Sequence, residues 1–471
     1  MMVPLSLAQI AEWTGGTVAQ SDPARLATRV HTDSRTVQAG DLFVALAGER
    51  FDAHDFVPRA AEMGAAAALV SRAPAGALPK GFGLVVVADP LAALQQLARH
   101  YRQARAAKVV AVTGSSGKTS TKEMIAAVLR RKFRVVATEG NLNNHIGVPL
   151  TLLRIAADTE YAVVELGMNH RGEIAALAAL ALPDAGVVTT AGSAHIENLG
   201  SRAAIADEKT DLLAGLPPDG TAIINADDPL LRERAGRARG ALVPAGFAID
   251  ADWRADAASV HFTPEGIAFV LLHDAESVPV RLPLFSRVMV ANALLAAAVG
   301  GLAGLSLAEI AAGLETVRLV GKRMEIVPRH RGWIINDCYN ANAESMRAAL
   351  AALREFPAPA RRVAILGSMG ELGAEAPALH REVGAAAAAS GAALLVLVGP
   401  HAADLQAGAL EAGFPADRIL LYATTAEAAP HVAGYALPDD TLLVKGSRFL
   451  QLEHLVATLD ESARPLAAHS S

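Results

Sequence analysis

The sequence predicts an α/β protein divided into three domains, on three observations. At 471 residues the chain exceeds what one hydrophobic core organises. Apolar strand-like runs alternate with helix-like runs through its middle and last thirds, the pattern of parallel sheets covered by helices. A glycine-rich turn joins one of those strands to a helix start at residues 114–117.

Residues 1–107 form the predicted N-terminal domain, a small α/β unit. Ser6 caps an amphipathic helix over Ser6–Thr14. Leu42–Leu46 and Leu84–Val87 read as strands, and Pro90–Ala104 as a helix that leads out through the polar stretch Arg102–Lys108. Residues 108–317 form the central domain, a P-loop-type parallel sheet with helices on both faces. Its strands are Lys108–Thr113, Tyr161–Glu165, Gly186–Thr190 and Thr221–Asn225, and an alanine-rich helix over Pro283–Gly304 closes it. Residues 318–471 form a Rossmann-like α/β domain with strands at Trp333–Asn336, Arg362–Leu366, Leu394–Val398 and Thr441–Val444. No fixed-period repeat runs through the chain.

Composition narrows the function classes. The net charge of −6 is spread along the chain, and no basic block suits nucleic acid. A single cysteine, Cys338, excludes a disulfide framework and fits a reducing compartment as a small buried side chain. The N-terminus lacks a basic region followed by a long apolar core, so no signal peptide is expected. Alanine-rich Gly384–Leu397 is too short to span a bilayer, which needs about 20 apolar residues. A cytoplasmic, soluble monomer is expected.

The chemistry concentrates at Thr113–Gly114–Ser115–Ser116–Gly117–Lys118–Thr119–Ser120. Small residues let backbone N–H groups approach phosphate oxygens, and the helix N-terminus adds partial positive charge. Lys118 suits the β- and γ-phosphates of ATP, and the Thr119 hydroxyl suits Mg²⁺. Val112 stands where the strict motif has glycine. Glu165 ends a buried strand and His195 follows the next one, so parallel pairing brings both to the same rim as metal ligands beside Thr119.

With these residues in view, the chain resembles the Mur ligases of peptidoglycan synthesis. TGSSGKTS, ELGMNH and AGSAH occur in the family's order and spacing. The asparagine-rich string Glu139–Thr151, with Asn141 and Asn144, resembles the branch that adds D-alanyl-D-alanine. The resemblance implies that Ser34 and Arg35 bind the UDP end of the substrate. Asn292, Arg323 and Asp337 are the implied nucleotide contacts. Tyr339, Asn340 and Asn342 of the D-x-Y-N-A-N loop, with Lys445 and Arg448, are the implied substrate contacts. Lys209 matches a position where sister ligases carry a carbamylated lysine; an ordinary exposed helix charge is the alternative reading. Four positions depart from the family pattern: Ala53 for Gly, Val288–Met289 for His-Asn, and Ser368 for Asp.

The implied reaction is amide formation through an acyl phosphate. ATP phosphorylates the carboxylate of UDP-N-acetylmuramoyl-tripeptide, and the amine of D-alanyl-D-alanine displaces the phosphate. Lys118, Glu165, His195 and Lys209 are the implied catalytic set. Other Mur-type amino-acid ligases and folylpolyglutamate synthetases share the loop without the asparagine-rich string. Replacing Lys118 by Ala is expected to lower ATP-dependent phosphate release by about 10³-fold or more, because the charge is needed during phosphoryl transfer. Near-normal turnover of the folded variant would contradict the assignment.

Overall fold

Residues 2–48, 51–75, 78–263, 265–319, 321–357 and 361–461 are described by a computed structural model of the chain. The last ten residues of the third region therefore lie outside the described residues.

The chain opens as its sequence dictates. Ser6 Oγ accepts the Gln9 N–H at 3.2 Å and caps the helix Leu7–Thr14. A five-stranded sheet follows, in the order Thr17–Gln20, Gly83–Val86, Ala67–Val70, Asp41–Val44 and Arg29–His31. Its last four strands are parallel. Ala53 has no left-handed backbone, so the loss of the family glycine causes no strain there.

Helix Pro90–Gln103 ties this unit to the next. Asp89 caps it, and Pro90 sits where no N–H is needed. Near its end, fully buried Tyr101 accepts the Val3 N–H at 2.8 Å and donates to the Ile155 carbonyl at 2.5 Å. Arg102 donates to the Ala181 and Leu182 carbonyls and pairs with Asp184. One phenol thus satisfies backbone groups of two units.

The central sheet has ten strands. Six run parallel, in the order Val135–Ala137, Tyr161–Glu165, Lys108–Thr113, Ala185–Val188, Thr221–Asn225 and Ala241–Gly246. Trp253–Ala255 continues that direction, and an antiparallel extension follows, built on Gly266–His273 paired with Glu276–Leu282. The sequence reading missed this extension. The sequence signal was an apolar run, Ile267–Leu272, and an alternating one, Val278–Leu282, on strands joined by the two residues Asp274–Ala275; in the structure Asp274 is left-handed at φ 50° in that turn.

The expected helix over Pro283–Gly304 is corrected to Arg287–Leu302. Ser286 is extended (φ −151°, ψ 137°), so residues 283–286 only lead from the hairpin into the helix. Met289–Gly300 is buried without interruption, packed against helix Lys118–Leu129. That all-round burial explains why an amphipathic pattern was absent.

The third sheet runs Glu325–Arg329, Gly332–Asp337, Thr441–Lys445, Arg362–Gly367, Leu394–Val398 and Ile419–Tyr422. All neighbours are parallel except the first pair. Pro279 and Pro328 lie in the outermost strands of the second and third sheets, where a missing N–H is tolerated. Phe285 and Phe356 pack with ring centres 5.1 Å apart and planes tilted by 45°, joining the central unit to the third.

Tyr101→Phe is expected to destabilise the protein by about 1–3 kcal/mol, because it orphans the part-buried Val3 N–H and the buried Ile155 carbonyl without changing shape. Urea denaturation of the two proteins measures the difference.

Candidate active site

Parallel register assembles the site. Glu165 pairs with Val112, and Val188 pairs with Thr113. The C-terminal ends of three neighbouring strands therefore open on one crevice. Gly114 has φ 150°, and a Cβ there would sit 1.9 Å from Thr189 Oγ1, so the turn requires glycine. Gly117 is left-handed and precedes helix Lys118–Leu129. The Thr190 side chain accepts the Ser116 N–H at 3.0 Å, and Ser115 Oγ accepts the Gly192 N–H at 2.9 Å.

A cavity of about 720 Å³ gathers most residues singled out in the sequence. Ser115, Ser116, Gly117, Lys118, Thr119 and Ser120 line it from the loop, with Asn141, Asn144, Glu165, His195 and Asn292 from elsewhere in the central unit. Arg323, Asp337, Tyr339, Asn340, Asn342 and Lys445 line it from the third unit.

Lys118 Nζ donates to the Gly114 carbonyl at 2.6 Å. Burial lowers the pKa of this ammonium, Glu165 opposes that shift, and Arg323 adds to it. Glu165 is 2% exposed. Its Oε1 accepts from Asn143 Nδ2 at 2.8 Å, while its Oε2 is buried without a hydrogen-bond partner. Asn143 was missed in the sequence, although it belongs to the asparagine-rich string. His195 Nδ1 lies 2.6 Å from Glu371 Oε2, an ion-pair distance without hydrogen-bond alignment. The contact holds the Glu371 carboxyl below its ordinary range. His195, Lys322, Met324 and Glu371 all adopt left-handed backbones around the crevice. Such conformations cost about 1 kcal/mol or more each for non-glycine residues.

On the third unit, Lys445 Nζ binds Asp337 Oδ2 at 2.7 Å and the Asn340 carbonyl at 3.0 Å. Asp337 Oδ1 accepts the Met324 N–H. The Arg323 and Arg448 guanidiniums lie 4.1 and 5.3 Å from the Tyr339 ring centre. Asn342 caps helix Ala343–Glu355 and meets Ser116 Oγ with both its amide atoms, at 3.0 and 3.2 Å. The two units therefore touch at the phosphate loop itself.

Other expected residues lie elsewhere. The Thr113 side chain is fully buried and donates to the Leu166 carbonyl at 2.9 Å, so it ties its strand to the residue that follows Tyr161–Glu165. Ser34 and Arg35 sit on the turn after Arg29–His31, away from this cavity, and Arg35 pairs with Asp33. Lys209 is not an exposed helix charge. It is 1% exposed, and burial together with Lys118 pushes its pKa well below the ordinary lysine range. Cys338 is buried, donates to Asn336 Oδ1, and has a thiol pushed up to about 11 by burial, as an inert side chain requires.

In the first unit, Asp52, His54 and Ser71 line up like a hydrolytic triad, with His54 Nδ1 2.6 Å from Asp52 and Nε2 3.1 Å from Ser71 Oγ. His54 Nε2 already accepts the Ser71 N–H at 2.9 Å, so it has no lone pair for the hydroxyl proton. The arrangement braces a loop.

Residues 112–300 match the Mur ligase middle domain, residues 322–448 the Mur ligase glutamate ligase domain, and residues 27–139 the Mur ligase family catalytic domain. The chain belongs to the Mur ligase family. Within this family it is 41% identical to the UDP-N-acetylmuramoyl-tripeptide–D-alanyl-D-alanine ligase of Escherichia coli strain K12, over 98% of this chain and 99% of that one. The crystal structure of MurF from Acinetobacter baumannii superposes with a TM-score of 0.88 at 34% identity, over 98% of this chain and 99% of that one. MurF ligase from Thermotoga maritima, in complex with ADP, gives 0.80 at 27% identity, over 92% and 97%.

The departures from the Mur ligase pattern have local accounts. Val288 and Met289 line the cavity, and the Met289 sulfur accepts from Asn292 Nδ2 at 3.7 Å. Ser368 is fully buried, and its Oγ accepts the His401 N–H at 2.9 Å. The next residue, Met369, donates its N–H to His380 Nε2 at 2.8 Å. His380 thereby holds the turn that presents Glu371 to His195.

Burial lowers the His380 pKa from 6.5 to about 4. A depressed base contributes stability that is complete above pH 6.5 and is lost as pH falls toward 4, because the unfolded chain then binds the proton first. Between pH 7.5 and 4.5 the wild type is expected to lose about 2 kcal/mol more than His380→Gln, read from urea midpoints.

Proposed function

We propose that the chain is an ATP-dependent amide ligase that joins D-alanyl-D-alanine to UDP-N-acetylmuramoyl-tripeptide through an acyl phosphate. The observation that carries this reading is the convergence of a phosphate loop, a buried carboxylate and the Asp337–Asn342 loop on one cavity. Relatives named for this activity align along nearly the whole chain.

Residues 1–107 hold the UDP end through the Ser34–Arg35 turn, residues 108–317 bind ATP, and residues 318–471 take the dipeptide. The loop N–H groups and Lys118 gather the β- and γ-phosphates, and Arg323 enters from the opposite wall. Concentrated positive charge stabilises the transferring phosphoryl group and lets the carboxylate oxygen approach it. The packed interface at Ser116 and Asn342 excludes water that would hydrolyse the acyl phosphate. The amine then attacks the acyl carbon, the bond from that carbon to the phosphate oxygen breaks, and loss of phosphate and a proton leaves the amide. Lys445 and Arg448, beside Tyr339, suit the carboxylate of the incoming dipeptide.

Mg²⁺ fits the residues present. The unpartnered, buried Glu165 Oε2 is a ligand in want of a cation. Thr119 and His195, whose Nε2 points away from the Glu371 contact, complete the protein set. Among the described residues no cluster of three carboxylate, histidine or cysteine side chains could hold a metal alone. That suits Mg²⁺, which keeps waters and phosphate oxygens and takes few protein ligands. When bound, the cation neutralises phosphate charge. Lys209, desolvated beside Lys118, has the depressed pKa that carbamylation of an amine requires.

Among the described residues no helix is long and apolar enough to cross a membrane, in keeping with cytoplasmic work on a nucleotide-linked substrate. The test is ligation by the purified protein with ATP, Mg²⁺ and UDP-N-acetylmuramoyl-tripeptide, each amine supplied singly. D-alanyl-D-alanine is expected to trigger phosphate release and a product heavier by the dipeptide less water. Chelating Mg²⁺ is expected to stop it. Release triggered by diaminopimelate, lysine or glutamate in its place would overturn the assignment.

A further inference from the structure

The loop Ala191–His195 leaves the central sheet and carries His195 to the cavity. Its hydrogen bonds are unusual in their origin. Ala191 N–H goes to Asp228 and Gly192 N–H to Ser115 Oγ, both within the central unit. Ser193 turns outward to the third unit. Its N–H donates to Glu344 Oε1 at 3.0 Å and its hydroxyl to Glu344 Oε2 at 2.8 Å. Ser193 is 1% exposed, so both donors depend on this carboxylate.

The approach is close: a Cβ on Gly192 would lie 2.7 Å from the Glu344 carboxyl carbon, so the carboxylate would have to shift to make room for one. Among the described residues Glu344 has no comparable partner on its own unit: Arg347 Nη2 is 3.9 Å away, and Arg347 binds Glu382 more closely. Glu344 also sits in the first turn of the helix whose cap, Asn342, grips Ser116. One helix end thus reaches both the phosphate loop and the loop that bears His195.

We infer that Glu344 is a positioning residue that couples docking of the C-terminal domain to placement of the His195 loop, so that the cavity wall is complete only when the domains are closed. A carboxylate chelating one N–H and one O–H fixes the loop in two directions, and it does so only across the interface. This inference rests on the ligase reading.

Four proteins test it: Glu344→Ala, Glu344→Gln, Ser193→Ala and the double alanine variant. Wild-type ligation is measured first; its failure would sink the ligase reading and not this coupling. Glu344→Ala is expected to lower kcat by about 10- to 100-fold with ADP affinity changed less than about threefold, since the phosphate loop is untouched. Its radius of gyration with ATP analogue and UDP-substrate bound, measured by solution scattering, is expected to stay nearer the open value. Glu344→Gln is expected to recover most activity, because its amide can accept the N–H and donate to the hydroxyl. The double variant is expected to match Glu344→Ala, the mark of a shared interaction. Wild-type kcat in Glu344→Ala would overturn the proposal. So would a Gln variant as slow as Ala, which would point to the charge itself. If Glu344→Ala melts early, Ser193→Ala decides: unchanged kcat there also overturns it.

Discussion

Everything at the site depends on the parallel register of three strands. Tyr161–Glu165, Lys108–Thr113 and Ala185–Val188 end at one level, so a carboxylate, a phosphate loop and a histidine-bearing loop leave the sheet side by side. A slip of one residue would turn Glu165 to the opposite face and bury its charge among apolar side chains. The strands themselves are apolar and buried on both faces, which keeps them at the centre of the sheet.

The third unit completes what the sheet begins. Asn342, Glu344 and Glu371 all cross to the central rim, at Ser116, Ser193 and His195. Four left-handed residues lie along this seam: His195 on one side, Lys322, Met324 and Glu371 on the other. Strained backbone persists only where surroundings over-determine it, and here each strained segment is held by the opposite unit or by Asp337.

Much of this was legible in the sequence, for particular reasons. Tyr161–Glu165 and Thr221–Asn225 were read to the residue because unbroken apolar runs between turn signals are unambiguous. Ser6 was read as a cap because its hydroxyl precedes an amphipathic helix. The helix at Arg287–Leu302 was placed four residues early, since alanine-rich sequence carries no boundary signal and only Ser286 marks the start. The direction of the Thr113 side chain was not legible, because a motif specifies position along the loop and not which way a side chain turns. Asn143 and Glu344 escaped notice for a related reason. Their partners, Glu165 and Ser193, are 22 and 151 residues away, and no local pattern encodes a tertiary pairing.

The prolines in the outermost strands have a consequence beyond the fold. An unpaired strand edge is a template on which another chain can add itself. Pro279 and Pro328 interrupt the row of N–H donors on two such borders, and the opposite border of the central sheet is only three residues long, Val135–Ala137. A crowded population of these molecules is thereby discouraged from stacking sheet upon sheet into fibrils, a safeguard written into positions remote from any chemistry.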